Sequence, residues 1–187
     1  MNVGNVIRTC WILLALYWFL SALSSKPVAE KPNRSSIWTY RLAMMIGAVM
    51  LFTQWQPRLL KITIFPRSEG LAWVGAAFCL FGLLGAIWSR RTLAGNWSSD
   101  VLLRQGHELI ERGPYRFVRH PIYTSILLMF LGTAIAEDQV GAYVGVLFFV
   151  AGLWIKLRQE EILMGRHFPE EYPAYKKRVK ALIPFVI

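Results

Sequence analysis

The sequence predicts an all-α protein, a polytopic bundle of about five membrane helices with a C-terminal segment that closes over one end. Three observations carry this. Hydrophobic residues make up 55% of the 187 and charged residues 17%, too little polar surface for a soluble domain of this length. The apolar residues fall in long blocks rather than amphipathic stripes. The basic residues gather beside those blocks, where membrane topology and anionic lipid account for them. The formal charge of +10 therefore argues for a bilayer partner and against nucleic acid. Cys10 and Cys79 lie inside apolar blocks, with no disulfide framework or metal-ligand spacing. With no linker or repeat, residues 1–187 read as one domain, a three-helix part over 1–88 and a motif-bearing part over 89–187.

A bilayer core of roughly 30 Å takes about 20 helical residues. The first span runs from Val3 to Leu23 with Arg8 as its one charge, the second from Ile37 to Trp55 with Arg41 one turn in. The third, Leu71 to Trp88, carries no charge, and a polar segment from Ser89 to His120 follows. Pro121 to Ala136 and Val140 to Leu157 are separated only by Glu137, Asp138 and Gln139, which makes them an antiparallel helical hairpin. Pro121 suits a first helical turn, where its missing N–H costs nothing. The first hairpin helix is short, so it crosses a thinned region, tilts little, or dips in and returns. The tail from Arg158 to Ile187 reads as a helical extension followed by a membrane-surface segment.

Lys and Arg set the topology. One side collects Arg8, Arg58, Lys61 and Arg67; the other collects Lys26, Lys31, Arg34, the six arginines between 90 and 119, and the seven bases between 156 and 180. The positive-inside rule places the richer side in the cytoplasm and the N-terminus opposite. Arg41 can snorkel to the richer side. The polar segment and the tail then share one face. Arg8, the apolar run and Ser21-Ala22-Leu23-Ser24 also mimic a cleaved signal peptide, but cleavage after export would put both basic regions outside, against the charge count.

Three clusters on that face are candidates for chemistry. The first is Arg112-Gly113-Pro114-Tyr115-Arg116-Phe117-Val118-Arg119-His120-Pro121-Ile122-Tyr123. A basic flank with interfacial aromatics explains its arginines and tyrosines, but not His120 wedged before the helix-starting Pro121. The second is Arg158-Gln159-Glu160-Glu161 at the end of the last apolar helix. Adjacent helical carboxylates point roughly 100° apart, so one can face the bundle and one the water. Arg158 and Glu161 at i, i+3 can pair. Carboxylates near a helix C-terminus oppose its dipole, which weakens the reading of an ordinary helix end. The third runs from Phe168 to Val179 and on to Ile183-Pro184-Phe185. Tyr172 and Tyr175 share a face there if the helix survives Pro173, while Lys176, Lys177 and Lys180 read as an anchor to anionic lipid.

Gly113-Pro114-Tyr115, Arg119-His120-Pro121-Ile122-Tyr123, Glu160-Glu161, Glu170-Glu171-Tyr172 to Val179 and Pro184, in this order over the last half of the chain, resemble the isoprenylcysteine carboxyl methyltransferase family. Phospholipid methyltransferases are similar in the same region. The resemblance implies an integral membrane enzyme that binds S-adenosylmethionine in a cytoplasm-facing pocket, methylates a lipophilic or prenylated acceptor and releases S-adenosylhomocysteine. It also implies that the Arg-His-Pro-x-Tyr stretch and the paired glutamates line the cofactor site. Two departures are Ser125, where the family usually has Gly, expected to narrow the cofactor cleft, and Pro169, likewise in place of Gly, expected to change the tail turn.

On that resemblance, Arg119, Arg158 and Glu161 are the catalytic candidates, an arginine fork being suited to orient an acceptor carboxylate. Tyr115, His120, Pro121, Tyr123, Glu160 and Glu161 are the cofactor-binding candidates, the tyrosines toward the sulfonium and the glutamates toward its ammonium or ribose. No metal is expected. An amine acceptor would instead need a base, from His120 or the glutamates. Two other classes remain. A steroid-reductase-type NADPH enzyme has a similar tail, though the Arg-His-Pro and Glu-Glu motifs fit methyl transfer better. A non-catalytic membrane protein would use Gly141 and Gly145 for helix packing, as would the enzymes.

Overall fold

The computed structural model describes residues 2–22, 28–30, 34–53, 57–65, 68–94, 103–104 and 108–186. Lys26, Lys31 and Arg67 from the topology count, and Leu23, Ser24, Trp55 and Ile187 at expected boundaries, lie outside them. Among the described residues six α-helices follow in order: α1 (Val3–Ala22), α2 (Arg34–Phe52), α3 (Glu69–Leu93), α4 (Pro121–Glu137), α5 (Val140–His167) and α6 (Glu171–Arg178). α1, α3 and α5 are long and apolar enough to cross a membrane; α4 and the Ile37–Phe52 stretch of α2 are shorter apolar helices. The fold is that of an all-α membrane protein. Its described strands are one short antiparallel pair, β1 (Val28–Glu30) with β2 (Leu103–Arg104), which joins the α1–α2 and α3–α4 connections.

Helix ends depart from the expected boundaries where local chemistry overrides hydropathy. α2 starts at Arg34, so Arg41 sits two turns in rather than one. Ser68 caps α3, its side chain accepting from Leu71 N at 3.5 Å. At its other end α3 runs past Trp88 and takes in Ser89, Arg90 and Arg91. Arg90 is 2% exposed and donates to Ala94 O at 2.6 Å and Ser21 O at 2.7 Å, tying the ends of α1 and α3 together. A guanidinium bonded through both terminal nitrogens is tolerated in a helix end that composition alone reads as loop.

The α4–α5 connection turns on Asp138, in the left-handed region at φ 47, ψ 44. Its carboxylate accepts from Phe65 N at 3.1 Å, and Val140 N donates to Ile62 O at 3.0 Å. The connection therefore lies level with the one between α2 and α3, and the hairpin reaches as far across the bundle as those helices do.

Sequence neighbours α4 and α5 are not the tightest pair. α4 lies along α3 and α5 along α2. Small residues permit both approaches: Gly145 faces Gly47 so closely that a Cβ there would stand 2.8 Å from the Gly47 carbonyl oxygen, and one on Gly152 would stand 2.7 Å from Tyr40 O. Gly75 and Gly132 meet in the same way between α3 and α4. α1 packs Ile7, Cys10 and Leu14 against Cys79, Leu83, Ala86 and Met129, and Trp11 Nε1 donates to Thr133 Oγ1 at 3.0 Å.

Candidate functional site

Each of the three polar clusters is placed by local backbone chemistry. Gly113, at φ +61, opens a tight turn over Gly113–Arg116; a Cβ would strain that backbone and press Thr92 Oγ1 at 3.1 Å. The turn buries Pro114 and Tyr115, and the Tyr175 hydroxyl donates to Tyr115 O. Burial pushes the Tyr115 hydroxyl well above its ordinary pKa, with neighbouring Tyr175 and Glu160 adding to the shift. The Tyr175 hydroxyl is raised by burial and then by Glu111. Both are neutral phenols.

The chain then runs alongside the tail. Arg119 N donates to Lys180 O at 2.8 Å, His120 N to Ala181 O at 3.0 Å, and Thr124 Oγ1 to Leu182 O at 2.7 Å. Pro121 opens α4 as expected, with His120 at the N-cap. The His120 imidazole makes no capping bond, which leaves it for the site.

α5 continues ten residues past Leu157 to His167, so Glu160 and Glu161 lie inside a continuous helix rather than at its end. This removes the expected conflict with the dipole. The helix continues because α6 folds back against it, with Tyr172 and Tyr175 both buried despite Pro173, which occupies the first turn of α6.

The two carboxylates have different partners. Glu161, its side chain 6% exposed, accepts through Oε1 from Nε of Arg119 at 2.9 Å and from Nη2 of the same guanidinium, and through Oε2 from Lys176 Nζ at 2.7 Å. The remaining nitrogen, Arg119 Nη1, donates to Val179 O and reaches Lys176 O at 3.4 Å. Glu160 is 20% exposed, accepts from the Tyr123 hydroxyl, and lies 3.6 Å from His120 Nδ1 and 3.8 Å from Lys156 Nζ. His120 stacks parallel to Tyr123 with centroids 5.4 Å apart. His120 Nε2 is buried and has no hydrogen-bond partner among the described residues; Glu161 Oε1 stands off at 3.6 Å.

Tyr115, Arg119, His120, Pro121, Tyr123, Glu160 and Glu161 thus gather at one end of the bundle. Arg158 does not join them. It is exposed, with its guanidinium 5.0 Å from the Trp154 ring centroid, and the expected Arg158–Glu161 pair is replaced by Glu161 with Arg119 and Lys176. Ser125 does not narrow a cleft at this cluster: its Oγ bonds Pro121 O at 2.7 Å and its side chain packs toward Gly85 of α3. Pro169 lies in the turn that joins α5 to α6. Lys176, read from sequence as a lipid anchor, is instead bonded to Glu161.

Lys156 is the member that sequence reasoning passed over. It is 8% exposed, one turn before Glu160, with its ammonium 5.2 Å from the Tyr123 ring centroid and 5.9 Å from that of Tyr40. The signal was available, since a lysine inside an otherwise apolar span needs a reason.

Comparison with known proteins bears on the same stretch. A profile of the family described as phospholipid methyltransferase matches residues 71–171, which include Tyr115, Arg119, His120, Pro121, Tyr123, Lys156, Glu160 and Glu161. A protein-S-isoprenylcysteine O-methyltransferase of Xenopus laevis is 23% identical over 94% of this chain and 64% of its own length. A methanethiol S-methyltransferase of Pseudomonas deceptionensis is 28% identical over 85% and 62%. A nickel-cobalt-cadmium resistance protein, NccN, of Alcaligenes xylosoxydans xylosoxydans is 31% identical over 60% and 52%. The chain spans between half and two-thirds of the length of these relatives. The motifs of the second half, from Gly113 to Glu171, fall inside the matched region, and the chain belongs to the phospholipid methyltransferase family.

Proposed function

We propose that this protein is an S-adenosylmethionine-dependent methyltransferase whose acceptor is a lipophilic carboxylate of the isoprenylcysteine or isoprenoid type. The observation that carries the reading is the buried His120 Nε2, open to a partner beside the part-exposed Glu160, within the stretch that matches the family. His120 and Glu160 fit the polar groups of the cofactor, its ribose hydroxyls and ammonium, and Tyr115 borders the same space. When bound, the cofactor supplies a methyl group on a positively charged sulfur. The protein's own part is to position and to exclude water. A carboxylate acceptor is ionised at neutral pH and needs no base, only a fixed geometry in a dry site.

The cation offered to that carboxylate is the buried Lys156, which also stands 3.8 Å from Glu160, rather than Arg119 or Arg158. Arg119 has each of its nitrogens engaged by Glu161 and the tail carbonyls, and Arg158 lies exposed on Trp154. Arg119 and Glu161 then act as positioning residues that hold the tail over His120. Methylation of a phospholipid amine is the second reading, favoured by the family description and by Glu160 as an available base. The buried ammonium of Lys156 opposes it, since a cationic acceptor would be repelled. The site and the C-terminus are placed on the cytoplasmic side and the N-terminus opposite, on the charge asymmetry of the sequence.

Calorimetry of the detergent-purified protein with S-adenosylhomocysteine tests the cofactor. Saturable binding is expected, lost in His120→Ala and Glu160→Gln variants that keep their helicity. No saturable binding by the wild type would overturn the reading. Transfer of labelled methyl to extracted lipids, released by mild base as an ester requires, separates carboxyl from amine acceptors.

A further inference from the structure

One surface beside the site is unaccounted for by methyl transfer. Residues 116–119 and 180–182 run side by side, joined by the Val118–Lys180 bridge and the bonds from Arg119 N and His120 N to Lys180 O and Ala181 O. Their outer side is both apolar and basic. Phe117 is 55% exposed, Ile183 52% and Phe185 95%. Arg116, over the Phe117 ring at 5.5 Å, and Lys180 are exposed as well. Among the described residues the ion pair of this region is Glu111 with Arg178 at 2.8 Å, and none involves Arg116 or Lys180.

We propose that this face docks on anionic phospholipid headgroups of the bilayer in which the bundle sits, and that docking steadies the tail over the site. The position supports a lipid occupant, because residues 116–119 stand immediately before Pro121, where the apolar helix α4 begins. Aromatic and aliphatic side chains flanked by arginine and lysine at that level match the acyl-chain boundary and the phosphates above it. The backbone bonds make the coupling direct. The peptide that presents Arg116 and Phe117 continues into His120, whose own N–H holds the tail at Ala181. The inference does not depend on the chemistry of the site.

Hydrogen exchange of the full chain in nanodiscs tests it, with phosphatidylcholine alone against phosphatidylcholine mixed with phosphatidylglycerol. Amides of residues 181–183, 185 and 186 are expected to exchange roughly five- to tenfold more slowly in the anionic discs, a gain lost at high salt and in an Arg116→Gln/Lys180→Gln double variant. Equal exchange in both lipids would overturn the proposal. So would a gain that survives in the double variant, which would place the lipid elsewhere, or one that tracks protein concentration, which would mark a second copy as the occupant. Phe117→Ser serves as a check, since it removes the apolar contact but leaves both charges, and it is expected to lessen the gain without abolishing its salt dependence.

Discussion

Removing the Glu161 carboxylate is expected to release the tail. The structure gives the magnitude, because the two cations on Glu161 differ in burial. Arg119 and Glu161 each have side chains 6% exposed and share two contacts, one of them 2.9 Å. Losing one partner of such a pair strands a buried charge and costs about 3–5 kcal/mol. Lys176 meets the same carboxylate at 2.7 Å, but its side chain is 49% exposed, so that pair is worth less than about 1 kcal/mol. Both act on the segment from 171 to 182, which rests on Arg119 through the carbonyls of Lys176, Val179 and Lys180. Proteolysis of the tail in detergent reads the open fraction when opening is fast relative to cleavage. Cleavage near Lys176–Lys180 is expected to accelerate by about two to nearly four orders of magnitude in Glu161→Ala, and by less than about fivefold in Lys176→Ala, following the two energies. Because Lys176 is itself a tryptic site, a protease that cuts at Tyr or Phe is the appropriate probe. Equal acceleration in the two variants, or none in Glu161→Ala, would refute the assignment of Glu161 as the post that holds the tail.

Further outcomes follow from other contacts. Lys156→Met is expected to weaken transfer to a carboxylate acceptor at least tenfold while leaving S-adenosylhomocysteine affinity within about threefold, as loss of one charge-assisted contact implies; steady-state kinetics beside calorimetry checks the split, and an unchanged rate points to the amine reading. Gly145→Ala puts a Cβ 2.8 Å from Gly47 O, so overpacking of about 1–3 kcal/mol is expected between α2 and α5, read as lower thermal stability in detergent. Asp138→Asn keeps a residue that tolerates the left-handed turn and an oxygen for Phe65 N, and should be near neutral. Asp138→Val loses both and is expected to lower the melting temperature measurably.

The sequence by itself determined the number and order of the apolar helices, the start of α4 at Pro121, and the three motif clusters, because hydropathic block length and helix-start chemistry are local properties. Charge asymmetry further required the clusters to share a face, which the hydrogen bonds between residues 119–120 and 180–181 bear out. What only the tertiary structure decided is who partners whom. Read along the helix, Glu161 has only Arg158 at i, i+3 as a partner, because a local pattern shows only neighbours on the same helix. The fold sends Glu161 to Arg119 and Lys176, leaves Glu160 to Tyr123, His120 and Lys156, and turns Arg158 out onto Trp154. Those choices depend on α6 folding back onto α5 and on α4 pairing with α3 while α5 pairs with α2, long-range contacts that no local pattern encodes. Lys156 is the clearest case. Its place in an apolar span is legible in the sequence, but its surroundings are set only by the Tyr40 and Tyr123 rings that the second and fourth helices bring to it.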